Sequence, residues 1–347
     1  MAHLRGQTPD SLASLWPDLP LDPTIARRVV DRLVAQGRDD LDGVRGLSRA
    51  LAAQILARGS TERIACIDRR ESPIDGFAKY LFRAADGALF ETVRIPLERP
   101  RYSICVSSQA GCGLGCAFCE TGRAGLTRNL EAWEIVEQVL HVKRSAPPGR
   151  PVTGVVFQGQ GEPLQNYDAV MRAAAILRDP NGMRIRGESI TISTVGLLPA
   201  IERFTAEGHP FRLILSLTSA IDARRQELVP LARAYAVADL ARAMRAHAAA
   251  RGGPIHVGWV LIEGWNTGDD EAEALAAHFA GEAVRVHLID VNDPTGRFTP
   301  PGDEERRRFA AALGRRGIAF VRRYSGGADI HAACGMLAST ARGGHGA

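Results

Sequence analysis

The order of apolar and polar positions divides the chain into two parts, and the first part is small. Apolar residues recur at helical spacing in two runs between residues 21 and 57: Ile25, Val29, Val30 and Leu33, then Val44, Leu47, Leu51 and Ile55. From 61 to 96, short apolar segments separated by turn residues indicate a small antiparallel sheet: 63–68, 77–82 and 89–95. Residues 1–95 are therefore predicted to form an N-terminal α+β accessory domain.

From Tyr102 onward, short apolar runs alternate with amphipathic stretches. Strands are predicted at 103–106, 152–157, 189–193, 212–217, 256–262, 284–289 and 318–321. Helices are predicted near 131–143, 167–177, 197–205, 237–250, 270–279 and 304–313. Alternating strands and helices imply a parallel sheet, and the repeats are too few for an eight-unit barrel. Residues 96–347 are expected to form an open, partial (β/α)6 barrel with its chemistry in the loops after the strands.

Composition narrows the class of protein. The chain has 347 residues, 45% of them hydrophobic, which suits one large α/β domain with a small appendage. No apolar run reaches the roughly 18 to 20 residues of a membrane span, and no signal peptide is evident, so a cytoplasmic protein is expected. Six cysteines are too few for a disulfide scaffold and suggest metal or redox chemistry.

The charge balance is weak evidence about partners. The formal net charge is only +4, which is small for a protein that binds nucleic acid. Lys79 and Lys143 are the only lysines, so nearly all basic residues are arginines. Arginine suits bidentate contacts with phosphate, but the bias alone decides nothing.

The strongest chemical signal is a cysteine cluster directly after the first strand of the predicted barrel. Cys112, Cys116 and Cys119 follow a CxxxCxxC spacing in a glycine-rich loop. Three thiolates at this spacing can converge on one metal centre. A structural zinc site would require a fourth ligand, whereas a [4Fe–4S] cluster held by three thiolates keeps one iron open for a substrate. Zinc and three buried structural thiols are the alternatives.

This loop resembles the hallmark of the radical S-adenosylmethionine (SAM) superfamily, and three later segments fit the resemblance. They are the GQGEP sequence at 159–163, Ser193 and Ser216, each after a successive strand. The resemblance implies that the open iron chelates SAM, whose reductive cleavage gives a 5′-deoxyadenosyl radical. It also implies a SAM-binding set: Gly161, Glu162, Ser193, Ser216, Thr218 and Asn292.

Two further cysteines narrow the resemblance. The segments around Cys105 and Cys334 resemble the RlmN/Cfr family of radical SAM methyltransferases, which methylate carbon 2 or carbon 8 of an adenosine in RNA. The resemblance extends from about Leu21 to Leu337 and implies that Cys334 carries the methyl group. Cys105 would release the product by forming a disulfide with Cys334. Glu91 is a candidate for contact with the base, although an exposed hairpin carboxylate is an equal interpretation.

The chain resembles a divergent member of that family. Thr218-Ser219 stands where His-Ala is usual, Gln158 and Gln160 replace methionines, and Met336 replaces glutamine. The implied partners are rRNA or tRNA and a flavodoxin- or ferredoxin-type electron donor, with the enzyme a monomer. A small-molecule or peptide methyltransferase and a non-catalytic Fe–S protein are the other hypotheses. Cys66 has no assigned role.

Overall fold

The computed structural model describes residues 1–338, and its N-terminal segment is mainly helical. Its elements are β1 (Ala2–His3), α1 (Pro9–Ala13), α2 (Pro23–Val30), α3 (Arg49–Arg58) and β2 (Gly59–Ser60). The α2 and α3 helices are the two that the sequence predicts. Asp22 and Ser48 cap them by accepting hydrogen bonds from backbone N–H groups in the first turn.

The small antiparallel sheet is not separate from the barrel. Its strands are β3 (Ala65–Glu71), β4 (Ala78–Arg83) and β5 (Leu89–Pro96). β5 pairs antiparallel with the first barrel strand, β6 (Tyr102–Val106), so one sheet of ten strands results. Residue 95, the predicted domain boundary, lies within β5. The middle of β5 is buried on both faces, as expected of a central strand.

Seven parallel strands form the open barrel, in chain order across the sheet. After β6 they are β9 (Val152–Phe157), β10 (Ile190–Thr194), β11 (Arg212–Ser216), β12 (Ile255–Leu261), β13 (Val284–Asp290) and β14 (Ala319–Arg323). The intervening short pair is β7 (Gln109–Gly111) and β8 (Leu126–Asn129). The predicted partial barrel is confirmed.

Helices cover the outer face of the sheet. They are α5 (Ala132–Ser145), α6 (Tyr167–Arg178), α7 (Leu198–Ala206), α9 (Val237–Arg251), α10 (Asp269–His278) and α11 (Asp303–Arg315). Two short helices, α4 (Glu120–Ala124) and α8 (Asp222–Leu228), lie beside the cysteine loop instead. Trp259 of β12 packs on Phe309 of α11 with ring centroids 5.7 Å apart. Because side chains alternate along a strand, His256 and Gly258 therefore face the barrel interior.

The barrel is open on one side. Within residues 1–338, β14 and β3 end the sheet and do not pair with each other. The apolar core is continuous from the N-terminal segment, at Leu4 and Val29, to Val136 under the barrel. None of the helices in this part of the chain is long and apolar enough to cross a membrane.

Candidate active site

The CxxxCxxC loop is held by backbone contacts that only glycine allows. Gly111 has φ of +80°, and a Cβ there would lie 2.0 Å from the carbonyl oxygen of Gly125. That oxygen accepts a hydrogen bond of 2.8 Å from the backbone N–H of Cys112. The β7–β8 pair thus closes the loop at its base, and the first cysteine is fixed by the closure.

The three thiols are neighbours in a largely apolar setting. Burial raises the pKa of Cys112 to about 11, with the nearby Cys119 and Glu162 adding to the effect. Burial also raises the pKa of Cys116, and the charges of Cys119 and Cys112 contribute to that rise. The buried guanidinium of Arg225 opposes that rise, and it donates hydrogen bonds to the carbonyl oxygens of Leu217 and Val195.

The donor set fits an iron–sulfur cluster. Cys112, Cys116 and Cys119 are three thiols on one short loop, and two of them, Cys116 and Cys119, belong to or pack against the same apolar group. In a four-iron cluster each thiolate binds a different iron, so three cysteines leave the fourth iron open.

The predicted SAM-binding residues meet at the carboxyl ends of β9, β10 and β11. Glu162 is buried, and its two carboxylate oxygens accept N–H bonds of 3.0 Å from Leu164 and Val195. Burial raises its pKa, against the effect of those two hydrogen bonds. The hydroxyls of Ser193 and Ser216 lie 2.9 Å apart. Gly161 has φ of +97°, and its Cα packs on Gln109.

Thr218 lies in a turn that its backbone shapes, whereas Asn292 contacts the Cys334 loop through its side-chain amide. Thr218 is buried with φ of +65°, which is strained for a β-branched residue. Asn266, which the sequence analysis missed, stabilises this turn by donating a hydrogen bond of 2.6 Å to the Thr218 carbonyl. Asn292 donates to the carbonyl of Cys334 at 3.4 Å and to the Ser325 hydroxyl at 3.1 Å.

Cys105 and Cys334 are brought together although they are far apart in sequence. Cys105 lies on β6 opposite Val93 of β5 and faces the barrel interior. Burial raises the pKa of both thiols, that of Cys334 to about 12. The charge of a neighbouring thiolate contributes to each raised pKa: that of Cys334 for Cys105, and that of Cys119 for Cys334. The geometry agrees: Cys105 packs against the apolar group that holds Ala332 and Leu337, and Gly335 accepts a hydrogen bond from the N–H of Glu120, directly after Cys119. The loop that carries Cys334 therefore lies between β6 and the cluster loop.

The loop that carries Cys334 is anchored at several points. Its N–H donates to the Ser325 hydroxyl at 2.9 Å. On the other side of Cys334, the carbonyl of Gly335 accepts from the N–H of Glu120 at 2.8 Å, and that of Leu337 accepts from the Thr121 hydroxyl at 2.6 Å. Both partners belong to α4, which begins directly after Cys119.

A second anchor of this loop is the tip of the β3–β4 hairpin. Asp75 accepts hydrogen bonds of 2.8 Å from the N–H of Gly327 and 3.0 Å from the hydroxyl of Tyr324. Burial would raise the pKa of Asp75, but these bonds and one from the N–H of Phe77 hold it below its ordinary value. The sequence gives no signal for this contact, because Asp75 and Gly327 are remote along the chain.

Glu91 is not an exposed hairpin carboxylate, and that interpretation is wrong. It is only 3% exposed, since β5 is a central strand of the joined sheet. Its carboxylate forms an ion pair of 2.9 Å with Lys79 of β4. It lies two positions before Val93, the partner of Cys105, so both side chains face the interior.

A cavity of about 250 Å³ adjoins the cluster loop. Leu228, Ile262 and Phe298 line it and also belong to the apolar group around Cys116. Its remaining lining is more polar: Glu227, Glu263, Trp265, Arg297 and Thr299. The sequence analysis missed this cavity, for which the only signal was two aromatic residues in loops after predicted strands.

Comparisons with known proteins agree with this geometry. Residues 106–279 match the Radical SAM superfamily. A probable RNA methyltransferase of Anaeromyxobacter sp. (strain Fw109-5) is 48% identical over 99% of this chain and all of that protein. The dual-specificity RNA methyltransferase RlmN of Anaeromyxobacter dehalogenans is 37% identical, covering 97% and 91% of the two chains. A crystal structure of a radical SAM methyltransferase from Sphaerobacter thermophilus superposes with a TM-score of 0.90, at 37% identity over 98% of this chain and 100% of that one.

Proposed function

Because the chain belongs to the radical SAM superfamily and, within it, to the RlmN-type methyltransferases, we propose that it methylates adenosine in RNA. Its family uses a [4Fe–4S] cluster and SAM. The proposed acceptor is carbon 2 or carbon 8 of an adenine in 23S rRNA or tRNA. The observation that carries the proposal is the position of the Cys334 loop, which packs beside Cys105 on one side and is hydrogen-bonded next to Cys119 on the other.

The residues that would hold the cofactors follow from the site. Cys112, Cys116 and Cys119 would bind the cluster, and Glu162 with Ser193 and Ser216 would bind SAM beside it. The adjoining cavity offers aromatic and aliphatic side chains for a flat ring such as adenine. The cluster supplies one-electron cleavage of SAM to a 5′-deoxyadenosyl radical, which can remove a hydrogen atom from an S-methyl group.

Cys334 would carry the methyl group. Its thiolate attacks the methyl carbon of a first SAM molecule, forming S-methylcysteine and releasing S-adenosylhomocysteine. Loss of a hydrogen atom from this group leaves a methylene radical on Cys334, which adds to the electron-poor adenine carbon. Glu91 faces the same interior space and is our candidate for contact with the base.

Cys105 would release the product. Once the adduct had lost the ring proton and one electron, for which the [4Fe–4S] cluster would be the acceptor, the Cys105 thiolate would attack the Cys334 sulfur. The S–S bond forms as the C–S bond breaks, and the methylated base takes up a proton. Two electrons from a dithiol then restore both thiols. This chemistry favours a reducing compartment such as the cytoplasm and requires a one-electron donor, for which we propose a flavodoxin or ferredoxin. A monomeric enzyme is part of the same proposal.

The test is nucleoside mass spectrometry of rRNA and tRNA from cells that express the protein. We expect 2- or 8-methyladenosine with the wild type and none with Cys334→Ala or Cys105→Ala. Cys66→Ala is the matched control, because that half-buried thiol lies on β3 and should not affect methylation.

The acceptor and the thiol chemistry can fail separately. Methylation of Cys334 in the purified protein, combined with unmodified RNA, would contradict the RNA assignment and favour a small-molecule or peptide acceptor. Methylated RNA from the Cys334→Ala variant would contradict the carrier role.

A further inference from the structure

Five basic side chains converge on the inner wall of the barrel near its open side. The strand register places Arg212, His256, Arg285 and His287 on the interior face of β11, β12 and β13. Arg323 of β14 faces the same side and donates from Nε to His287 Nδ1 at 3.1 Å. We call these five residues the cationic wall.

The two histidines link the wall into one unit. His256 Nδ1 and His287 Nε2 lie 3.0 Å apart, so one ring donates a hydrogen bond to the other. Burial, together with the charge of the surrounding arginines, lowers the pKa of His256 to about 4 and that of His287 to about 3. Both rings are therefore neutral near pH 7, and the charge of the wall comes from its arginines.

Within the described residues, the arginines of the wall have no acidic partner. Arg212 and Arg285 make no ion pair or side-chain hydrogen bond there, and Arg323 bonds only to His287. The charges that act on Arg323 are those of Arg212 and Arg285, which repel it. Elsewhere in this protein, arginines are commonly paired with carboxylates, as Arg224 is with Asp270. Three unpaired guanidinium groups on one wall match a ligand that supplies negative charge.

A ligand can reach the wall from the open side. Arg285 and Arg323 are exposed, and Arg212 is partly exposed. β14, which carries Arg323, is the last strand of the sheet, and its interior-facing Ala319 is also exposed. No element of the described residues closes this side by pairing with β14.

An exposed aromatic residue, Tyr324, comes directly after Arg323 in the sequence and indicates which kind of anion binds to the cationic wall. Tyr324 is 73% exposed, an unusual state for a large ring. Its hydroxyl bonds to Asp75, and its ring packs edge-on against Phe77 at 6.1 Å between centroids. The ring is thus held in place with surface available for stacking. It precedes Ser325, which accepts the hydrogen bond from the N–H of Cys334.

From these observations we propose that the cationic wall binds backbone phosphates of the substrate RNA, while Tyr324 stacks on a base beside the target. Arginine groups that follow the backbone, combined with an aromatic platform, are how proteins commonly hold single-stranded nucleic acid. A free phosphate or pyrophosphate is also negatively charged, but it carries no base on which Tyr324 could stack. The inference rests on the proposed function, because it requires RNA to be the acceptor.

The test compares RNA binding by the cluster-loaded wild type and by Arg285→Gln and Arg212→Gln/Arg285→Gln variants, across a range of salt concentrations. The probe is a single-stranded RNA made from the sequence around the methylated adenosine. Each lost phosphate contact should weaken binding about tenfold. It should also make the fall of log K, the association constant, with log salt concentration less steep by about 0.7. Arg308→Gln is the matched control, because Arg308 is exposed on the outer helix α11 and has no ion-pair partner in the described part of the chain.

Further measurements separate the sources of phosphate and guard against misfolding. Calorimetric titration with pyrophosphate tests free anions, and Tyr324→Ala should weaken RNA binding without changing the salt slope. Iron content and thermal unfolding establish that each variant is folded, and Arg285→Gln, at an exposed position, is the mildest change.

The outcomes are distinct. Unchanged affinity and slope in the folded double variant, with methylation of RNA by the wild type intact, would overturn this inference alone. Pyrophosphate binding that the double variant loses, with RNA binding unchanged, would also overturn it. A wild type that neither binds nor methylates RNA would overturn the proposed function together with it.

Discussion

At the scale of single residues, Gly111 and Arg225 fix the cluster loop from two sides. Gly111 closes the base of the loop against Gly125, where no side chain fits. Arg225, only 1% exposed, ties the ends of β10 and β11 together through the Val195 and Leu217 carbonyls and brings positive charge to Cys116. The cysteine spacing specifies the ligands, but these two residues determine where the ligands lie.

Gly111→Ala is predicted to impair cluster binding. The added Cβ meets the Gly125 oxygen at 2.0 Å, so the Cys112 backbone must shift, and φ of +80° disfavours alanine. We expect reconstituted iron content to fall by at least half and the free energy of unfolding to fall by about 2 kcal/mol. Iron analysis and urea denaturation measure the two effects.

Gly43→Ala is the control for this change. Gly43 has a similar φ of +72° but no atom within 4 Å of an added Cβ, so only the backbone strain is shared. Equal iron content in the two variants would show that the contact with Gly125 does not position Cys112.

At the scale of elements, the site depends on a loop, 324–338, that follows the last strand of the barrel and docks on two other elements. The hairpin tip holds it through Asp75, and α4 holds it through the N–H of Glu120 and the hydroxyl of Thr121. Docking of this loop on α4 brings Cys334 close to Cys119. Its docking therefore controls whether the methyl carrier is in place.

Asp75→Ala is predicted to slow methylation of Cys334 without removing any reacting group. The change deletes the acceptor of the Gly327 N–H and the Tyr324 hydroxyl, which releases the loop from the hairpin. We expect at least a tenfold slower appearance of S-methylcysteine by mass spectrometry, and faster amide exchange across 324–338.

Asp75→Asn keeps an oxygen that can accept the Gly327 N–H, so it should recover most of the rate. Asp42→Ala, at an exposed loop carboxylate on the N-terminal segment, should have no effect. If Asp75→Ala and Asp75→Asn were both as fast as the wild type, Asp75 would have no positioning role.

Local patterns predict the elements of this protein well and their long-range contacts poorly. Strand and helix positions follow from periodicity, and the cluster loop follows from its cysteine spacing. The hairpin sheet was expected to stand apart because nothing in the sequence shows that β5 pairs with β6. For the same reason the sequence is equally consistent with an exposed Glu91. Asp75 and Asn266 have no sequence signal, because tertiary packing determines their partners.

At the scale of the whole molecule, charge and burial are distributed unevenly. The net charge is only +4, yet three arginines that have no acidic partner within residues 1–338 lie together on one interior wall. Several histidines are likewise buried as neutral rings at scattered places in the fold. Burial lowers the pKa of each of four to about 4: His3, His141, His247 and His256.

The protein is predicted to lose stability as the pH falls from about 6.5 towards 4. In that window the unfolded chain protonates its histidines, while the folded protein keeps these four neutral, so the unfolded state binds more protons. The free energy of unfolding therefore falls with falling pH. Urea denaturation at several pH values measures this slope.

His247→Gln should make the slope less steep. His247 accepts or donates one hydrogen bond with the Thr205 hydroxyl at 3.1 Å, which glutamine can replace, and it no longer titrates. Carboxylates also titrate in acid, but they are common to both proteins and cancel in the comparison. An identical slope in the variant and the wild type would contradict the prediction.

The placement of Cys105 and Cys334 links the stage of the reaction to the mechanical integrity of the barrel. Cys105 lies on its first parallel strand and Cys334 just beyond its last, so the proposed disulfide would enclose almost the whole barrel in one covalent ring. A ring of this size limits the unfolded chain enough to stabilise the fold by roughly 5 kcal/mol. The enzyme would then have its highest thermal stability immediately after releasing its product. Each reduction of the disulfide would return it to a less stable form that can accept the next methyl group.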